Sequence, residues 1–318
     1  MNILITGGSG FIGQKLTSEL CQQGHKVRIL SRHSNYKTPE GVQVIKGDLV
    51  SSSCPFEKSV KNCDVIYHCA GEINDKSKME ALHIDATQRL LNATINEANN
   101  SGRPTHWVQL SSVGAYGPPR RGPSFDRIVT EKTPTLPAGE YETTKTISDE
   151  LVVKACQDDL LTYSIIRPSN VFGQTMNNQS LRSLSTMIQK GLFFYIGKSE
   201  AIATYIHVDD VVEVLLRCGF EYQAKGEIFN VSNDCILSDL IDGIANSLNV
   251  SQPRFRIPEL LVRSITQAVS KLVTIPLTQE RIDALISRTR YPYNKLESLL
   301  GFKPEKPVPQ FIGEVLLR

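Results

Sequence analysis

Residues 2–13 read NILITGGSGFIG, and the order of chemistry in that stretch decides the fold. The apolar run 2–6 has the composition of a buried strand, Gly7, Gly10 and Gly13 follow it, and residues 14–23 carry a helical pattern. Glycines admit the unusual backbone angles of such a turn, and a side chain there would block a pyrophosphate from the helix N-terminus. Most glycine clusters merely make loops. Correct strand and helix flanks raise this one to a dinucleotide cradle, with Phe11 and Ile12 inside it.

Working outward, strand-like runs recur at 26–31, 42–45, 64–68, 105–111 and 162–167, with helical segments near 78–100 and 141–157. This alternation predicts an α/β fold, a Rossmann-type doubly wound parallel sheet with a smaller C-terminal substrate lobe. After Arg167-Pro168 the regularity weakens into a loop at 173–180, a helix at 181–190 and mixed signals at 204–219 and 227–247. The expected division is a cofactor domain over 1–172, with 204–231 sent back to it, and a discontinuous substrate lobe over 173–318.

The chain has 318 residues, 40% hydrophobic and 21% charged, which excludes disordered and fibrous classes. Thirty-five basic against 33 acidic side chains give no basic stripe, so no nucleic-acid partner is expected. The seven cysteines lack the close paired spacing of zinc or redox sites, so no metal is expected and buried thiols in a reducing compartment fit best. The N-terminus has no basic leader, and the apolar stretch Leu260–Ile275 is broken by Arg263, Ser264, Gln267, Ser270 and Lys271. A cytoplasmic protein without a membrane segment is the expectation.

The end of the second strand normally places an acidic residue against the ribose hydroxyls of NAD. Ser31-Arg32 stands there instead. A carboxylate would repel a 2′-phosphate, whereas a guanidinium fork binds one and a hydroxyl donates to it, so NADP(H) is favoured and NAD(H) remains possible. An ordinary surface charge is the competing reading of Arg32. Arg28 and His33 flank the same place, and Asp48 in GDL is set to accept from an adenine amino group, unless it is only a turn residue.

Tyr141 and Lys145 in YETTK lie four residues apart on a predicted helix and therefore on one face. An ammonium beside a phenol stabilises the phenolate and lowers its pKa from about 10, which makes an acid or base of it. Ser112, after the strand 105–111, is placed to bond a reacting oxygen. A Tyr and a Lys at helical spacing are by themselves more often a surface pair.

Their company decides otherwise. TGGSGFIG, GDL, SSVGAYG, YETTK, RPSNVFG and IHVDDVV occur in the order and approximate spacing of the extended short-chain dehydrogenase/reductase family (the NAD-dependent epimerase/dehydratase type), which this sequence resembles over nearly its whole length. The resemblance implies that Ser112, Tyr141 and Lys145 are catalytic, with Ser111 as a neighbour. It also implies that Tyr141, Lys145, Leu49, Ala70 and Pro168 contact the cofactor, and that Ser112 and Asn170 contact substrate. His207 and Asp210 look like structural positions joining the lobes.

Two departures stand out. His83 replaces the Asn of N-V-x-G-T, whose role in the family is to support a water relay; His83 is either a relay through its carbonyl or a plain helix-surface residue. HCAG at 68–71 replaces H-x-A-A, where Cys69 and Gly71 keep the wall beside the nicotinamide small.

The resemblance points to nucleotide-sugar 4-epimerases and 4-ketosugar reductases, and Ser31-Arg32 tips the balance to NADPH-dependent reduction of a 4-keto nucleotide sugar. Arg182, Arg254, Arg288 and Arg290 are loose candidates for a diphosphate clamp. The alternatives are an epimerase with bound NAD, a hydroxysteroid- or dihydroflavonol-like ketone reductase, and a non-catalytic NADP sensor, which the intact Ser112, Tyr141 and Lys145 disfavour. A homodimer through helices 78–100 and 141–157, with Leu82, Leu90, Leu151 and Val152 on the apolar positions, is also implied.

Overall fold

The computed structural model describes residues 1–33, 38–119, 122–156, 160–176, 179–197, 200–269 and 277–316. Seven strands form the main sheet: β1 (Asn2–Thr6), β2 (Lys26–Ser31), β3 (Gln43–Lys46), β4 (Val65–His68), β5 (Thr105–Leu110), β6 (Leu161–Pro168) and β7 (Glu227–Val231). Their order is β7-β6-β5-β4-β1-β2-β3, and every neighbouring pair is parallel. The order reverses beside β1, which places the carboxyl ends of β1 and β4 at the switch point where open α/β sheets bind ligands.

The strands read as runs of Val, Ile and Leu because helices cover both faces. On one face the helices Phe11–Gln22 and Val208–Phe220 bury Leu16, Leu20, Val211 and Leu215 against Ile3, Ile5 and Ile29. On the other, Ala86–Ser101 and Glu140–Ala155 bury Leu90, Leu91 and Val152 against Leu4, Ile66 and Trp107. Each such side chain contributes on the order of 1.5–3 kcal/mol.

The first helix begins at Phe11, earlier than its periodicity suggests, because the turn from β1 is so tight. A Cβ on Gly13 would sit 2.2 Å from the carbonyl oxygen of Gly7, so any larger residue would force helix and strand apart. The helical segment expected at 78–100 is three pieces: a short helix Lys76–Glu80, a π-helical turn Ala81–Asp85, and the helix Ala86–Ser101.

A second core packs the helices Gln179–Gln189 and Leu237–Ser247 against Phe172, Phe193, Tyr195 and Val308. Asp210 accepts the backbone N–H groups of Glu305 and Lys306, and His207 Nε2 lies 3.1 Å from Glu314, so both residues pin the C-terminal segment. All seven cysteines are free, three of them buried. Among the described residues no helix is long and apolar enough to cross a membrane, and part of the stretch 260–275 lies outside them.

Candidate active site

Gly7 turns the chain out of β1 with φ +70°, and a Cβ on it would lie 2.7 Å from the backbone of Cys69 and Ala70. This close approach brings the ends of β1 and β4 together. The cleft above them is lined by Gly7, Gly10, Ser31, Arg32, Asp48, Leu49 and Ala70 from the expected cofactor set. It is lined as well by Cys69, Gly71, Glu72 and Lys78, which complete the opposite wall. Among the described residues and apart from its neighbours in the chain, a Cβ placed on Gly10 would meet the Gly7 carbonyl at 3.2 Å and nothing else within 4 Å, so Gly10 leaves backbone open to the cleft. These features fit a dinucleotide.

Phe11, Ile12, Gly13 and Pro168 of the expected cofactor set are not among the residues that line the cleft. Gly13 packs on Gly7, Ile12 joins the core, and Pro168 pairs with Val231 at the end of β6.

Arg32 is exposed at the cleft, and buried Ser31 accepts the His33 N–H through its hydroxyl. The cleft's carboxylates are already engaged: Asp48 Oδ1 accepts the Val50 N–H, and Glu72 Oε1 accepts the N–H groups of Asn74 and Asp75, which holds Glu72 below the usual carboxylate range. Asp48 is thus both a turn residue and a cleft residue. Arg28 does not flank the site. Its guanidinium donates to the carbonyls of Ser59 (3.0 Å) and Lys61 (2.6 Å), closing the short helix Phe56–Val60. It stands three positions before Ser31 on the strand, about 10 Å along the sheet.

Tyr141 and Lys145 share a face of the helix Glu140–Ala155. Lys145 is buried and donates to the Leu110 carbonyl at 2.5 Å. Burial lowers its pKa, against the pull of the Asp149 carboxylate. The expected depression of the phenol is not found: burial pushes Tyr141 up to about 12, with Glu142 and Asp149 adding to the rise. Desolvation is the largest cause of the rise. Ser112 extends from β5, and its Oγ accepts the Gly114 N–H at 3.1 Å. Gly114 lies against Glu142, which seats this turn on the start of the Tyr141 helix.

Several buried hydrogen bonds behind the site were not foreseen. Ser111 and Arg167 both donate to Asp149 Oδ2, at 2.7 and 3.0–3.1 Å. His68 bridges Thr6 (2.7 Å) and Thr87 (2.9 Å), linking β1 to the helix Ala86–Ser101. His83 is buried rather than on the helix surface, with Nδ1 2.8 Å from Thr144 Oγ1 and Nε2 accepting the Glu72 N–H at 2.9 Å. Its ring meets Tyr141 edge to face at 5.6 Å. Burial and the Lys145 charge push it down to about 4. A signal existed: His83 lies four residues from both Met79 and Thr87, on the buried stripe.

Asn170 opens the strand Asn170–Phe172 and donates through Nδ2 to the Thr204 carbonyl at 3.0 Å. It pairs with Tyr205, which lines a cleft of about 640 Å³ between the helices Gln179–Gln189 and Gln279–Ile286. Leu184, Met187, Phe193, Phe194, Leu277 and Leu285 make this cleft mainly apolar, and Ser183 and Arg281 add polar groups. None of the four clamp arginines lines it. Arg288 pairs with Asp126, Arg254 bonds Gln252, Arg182 reaches the Met176 carbonyl, and Arg290 is exposed. Of the apolar positions on the two helices of the expected dimer, Leu90 and Val152 are fully buried in the chain's own core.

Residues 3–232 match the model of the NAD dependent epimerase/dehydratase family. UDP-glucose 4-epimerase of Vibrio cholerae is 23% identical over 98% of this chain and 92% of its own length. The decarboxylating sterol-4-alpha-carboxylate 3-dehydrogenase of Mus musculus is 25% identical over 94% and 86%. Among solved structures, MoeE5 in complex with UDP-glucuronic acid and NAD superimposes with a TM-score of 0.74 at 19% identity, over 99% of this chain and 97% of that one.

Proposed function

The chain belongs to the NAD dependent epimerase/dehydratase family, and from that premise we propose that it reduces a 4-keto nucleotide sugar with NADPH. By family it is an NAD(P)-dependent oxidoreductase or epimerase of the short-chain dehydrogenase/reductase type. The observation that carries the finer reading is the end of β2, where Ser31 and Arg32 stand at the cleft without a carboxylate. A reductase exchanges its cofactor on every cycle, and discrimination for a 2′-phosphate serves that exchange. An epimerase returns its hydride in one visit and gains nothing from it.

In this reading residues 1–172 and 204–231 hold the cofactor and 173–318 the substrate. Bound NADPH supplies the hydride. Tyr141 carries its proton at neutral pH and gives it to the ketone oxygen, while the Ser112 hydroxyl donates a hydrogen bond to the same oxygen. Lys145, four residues on, supports the charge left on the phenol. Asn170 and the cleft beside Tyr205 receive the sugar and its nucleotide, and the rings of Phe193 and Phe194 offer faces to a base. A homodimer through the helices Ala86–Ser101 and Glu140–Ala155 belongs to the same proposal.

The apolar lining of that cleft favours a second reading, a hydrophobic ketone, in keeping with the sterol dehydrogenase relative. Incubation with UDP-4-keto-6-deoxy-N-acetylhexosamine and NADPH, following absorbance and product together, separates the readings. Loss of NADPH with matching alcohol is expected. Conversion of UDP-N-acetylglucosamine to its C4 epimer on retained NAD⁺, without NADPH loss, would overturn reduction, and turnover of a hydrophobic ketone alone would overturn the sugar.

A further inference from the structure

His83 sits in the one-turn π-helix Ala81–Asp85, between the cleft wall at Gly71–Glu72 and the helix that carries Tyr141 and Lys145. Single π-turns inside α-helices occur frequently at functional sites. The hydrogen bonds around the ring fix its protons. A backbone N–H only donates, so the Glu72 amide 2.9 Å from Nε2 requires a lone pair on that nitrogen. The ring proton of the neutral imidazole is then on Nδ1 and is donated to Thr144 Oγ1 at 2.8 Å. Thr144 in turn donates to the Glu140 carbonyl at 2.9 Å, with the Tyr141 carbonyl at 3.2 Å. Every position is satisfied, and neither ring nitrogen has a free site through which a proton is passed.

We propose that His83 is a positioning residue, a clamp rather than a relay, which as the Nδ1–H tautomer ties the Gly71–Glu72 wall of the cofactor cleft to the Tyr141 helix. The two bonds join the segment after β4 to the helix Glu140–Ala155, and the Tyr141 ring rests edge-on against the same imidazole. One side chain therefore sets how far the phenol stands from the wall beside which the cofactor lies. Burial and the Lys145 charge agree with a neutral ring. The inference rests on the reading of Tyr141 as the proton donor only for its consequence in turnover; the bridge itself is independent of it.

The test has two arms. In ¹⁵N-histidine NMR of the whole chain, His83 is expected to show a protonated Nδ1 and a bare Nε2 between pH about 5 and 8, and the Glu72 amide to exchange slowly. His83→Ala should speed that exchange roughly tenfold or more. His83→Gln, which retains a donor and an acceptor, should restore part of the protection. In turnover, His83→Ala should lower kcat roughly tenfold while the Kd for NADPH stays within about threefold, and Thr144→Val should add little to it, because both remove one link. An Nε2–H tautomer, an imidazolium in that range, or unchanged Glu72 exchange in His83→Ala overturns the clamp. If His83→Ala does not fold, loss of Glu72 protection in a folded His83→Gln overturns it instead. Absence of turnover in the parent chain, with the NMR and exchange results as expected, defeats the reductase reading and leaves the bridge standing.

Discussion

Asp149 receives Nε and Nη2 of Arg167 on a single oxygen, Oδ2, at 3.1 and 3.0 Å, while its other oxygen has no hydrogen-bond partner among the described residues. Both side chains are buried. Burial raises the Asp149 pKa, against the pull of Arg167 and Lys145, which shows how much desolvation the pair carries. Arg167→Met should leave the carboxylate uncompensated and cost about 3–5 kcal/mol. Adding Asp149→Leu should recover most of that loss. Urea unfolding of the single and double variants measures both, and a single-variant loss under about 1 kcal/mol would contradict this view of the pair.

Arg32 and Arg28 make an internally controlled comparison, since both are arginines of the same strand region and only Arg32 lines the cleft. Arg32→Ala should weaken NADPH by roughly 1.5–3 kcal/mol, the worth of a charged hydrogen bond, and leave NADH nearly unchanged. Arg28→Ala should leave both affinities alone and reduce stability, because it removes the cap on the Lys61 carbonyl. Fluorescence titration of the two cofactors against both variants reads the contrast. Equal weakening of NADPH and NADH by Arg32→Ala would make Arg32 structural.

Much of this was legible in the sequence where a local pattern and its chemistry coincide. NILITGGSGFIG sets strand, turn and helix in contiguous residues, and Tyr141 and Lys145 share a face by spacing alone. What was misread depends on distance along an element or on burial. Strand alternation gives the face of Arg28 but not which end of the sheet it reaches. Four-residue spacing puts a lysine near Tyr141 but does not reveal that Lys145 is held by the Leu110 carbonyl while burial raises the phenol. The apolar cleft joins residues 180–205 to 277–285, a separation no local signal spans.

Three buried histidines make the fold sensitive to acid. Burial lowers His68 to about 3, and His83 and His106 to about 4 each, from an ordinary 6.5. Below pH 6.5 the unfolded chain takes up protons that the folded chain refuses, so stability falls as pH falls, by about 1.4 kcal/mol per unit for each histidine. Asp234 opposes this: burial raises it to about 6, so between 6 and its ordinary 3.8 the folded state binds the extra proton and gains stability as pH falls. Asp149, also raised, acts in the same direction. Asp210 is raised as well, but the three large histidine shifts outweigh these carboxyls, so the chain is expected to be less stable at pH about 5 than at about 7. Urea midpoints at those two values measure it, and equal or greater stability at the lower pH would refute the account of these histidines.

The most direct measurement of the central claim is a single-turnover comparison of the parent chain with Tyr141→Phe, with NADPH affinity determined on the same preparations. The phenol ring lies edge-on to the imidazole of His83, four residues before Lys145 on the same helix, and the substitution removes only its hydroxyl with the transferable proton. The account predicts a rate lower by about 10²-fold or more with nearly unchanged NADPH binding and thermal unfolding. An unchanged rate would contradict it, because the hydride would then be reaching the carbon of a ketone whose oxygen some other group protonates.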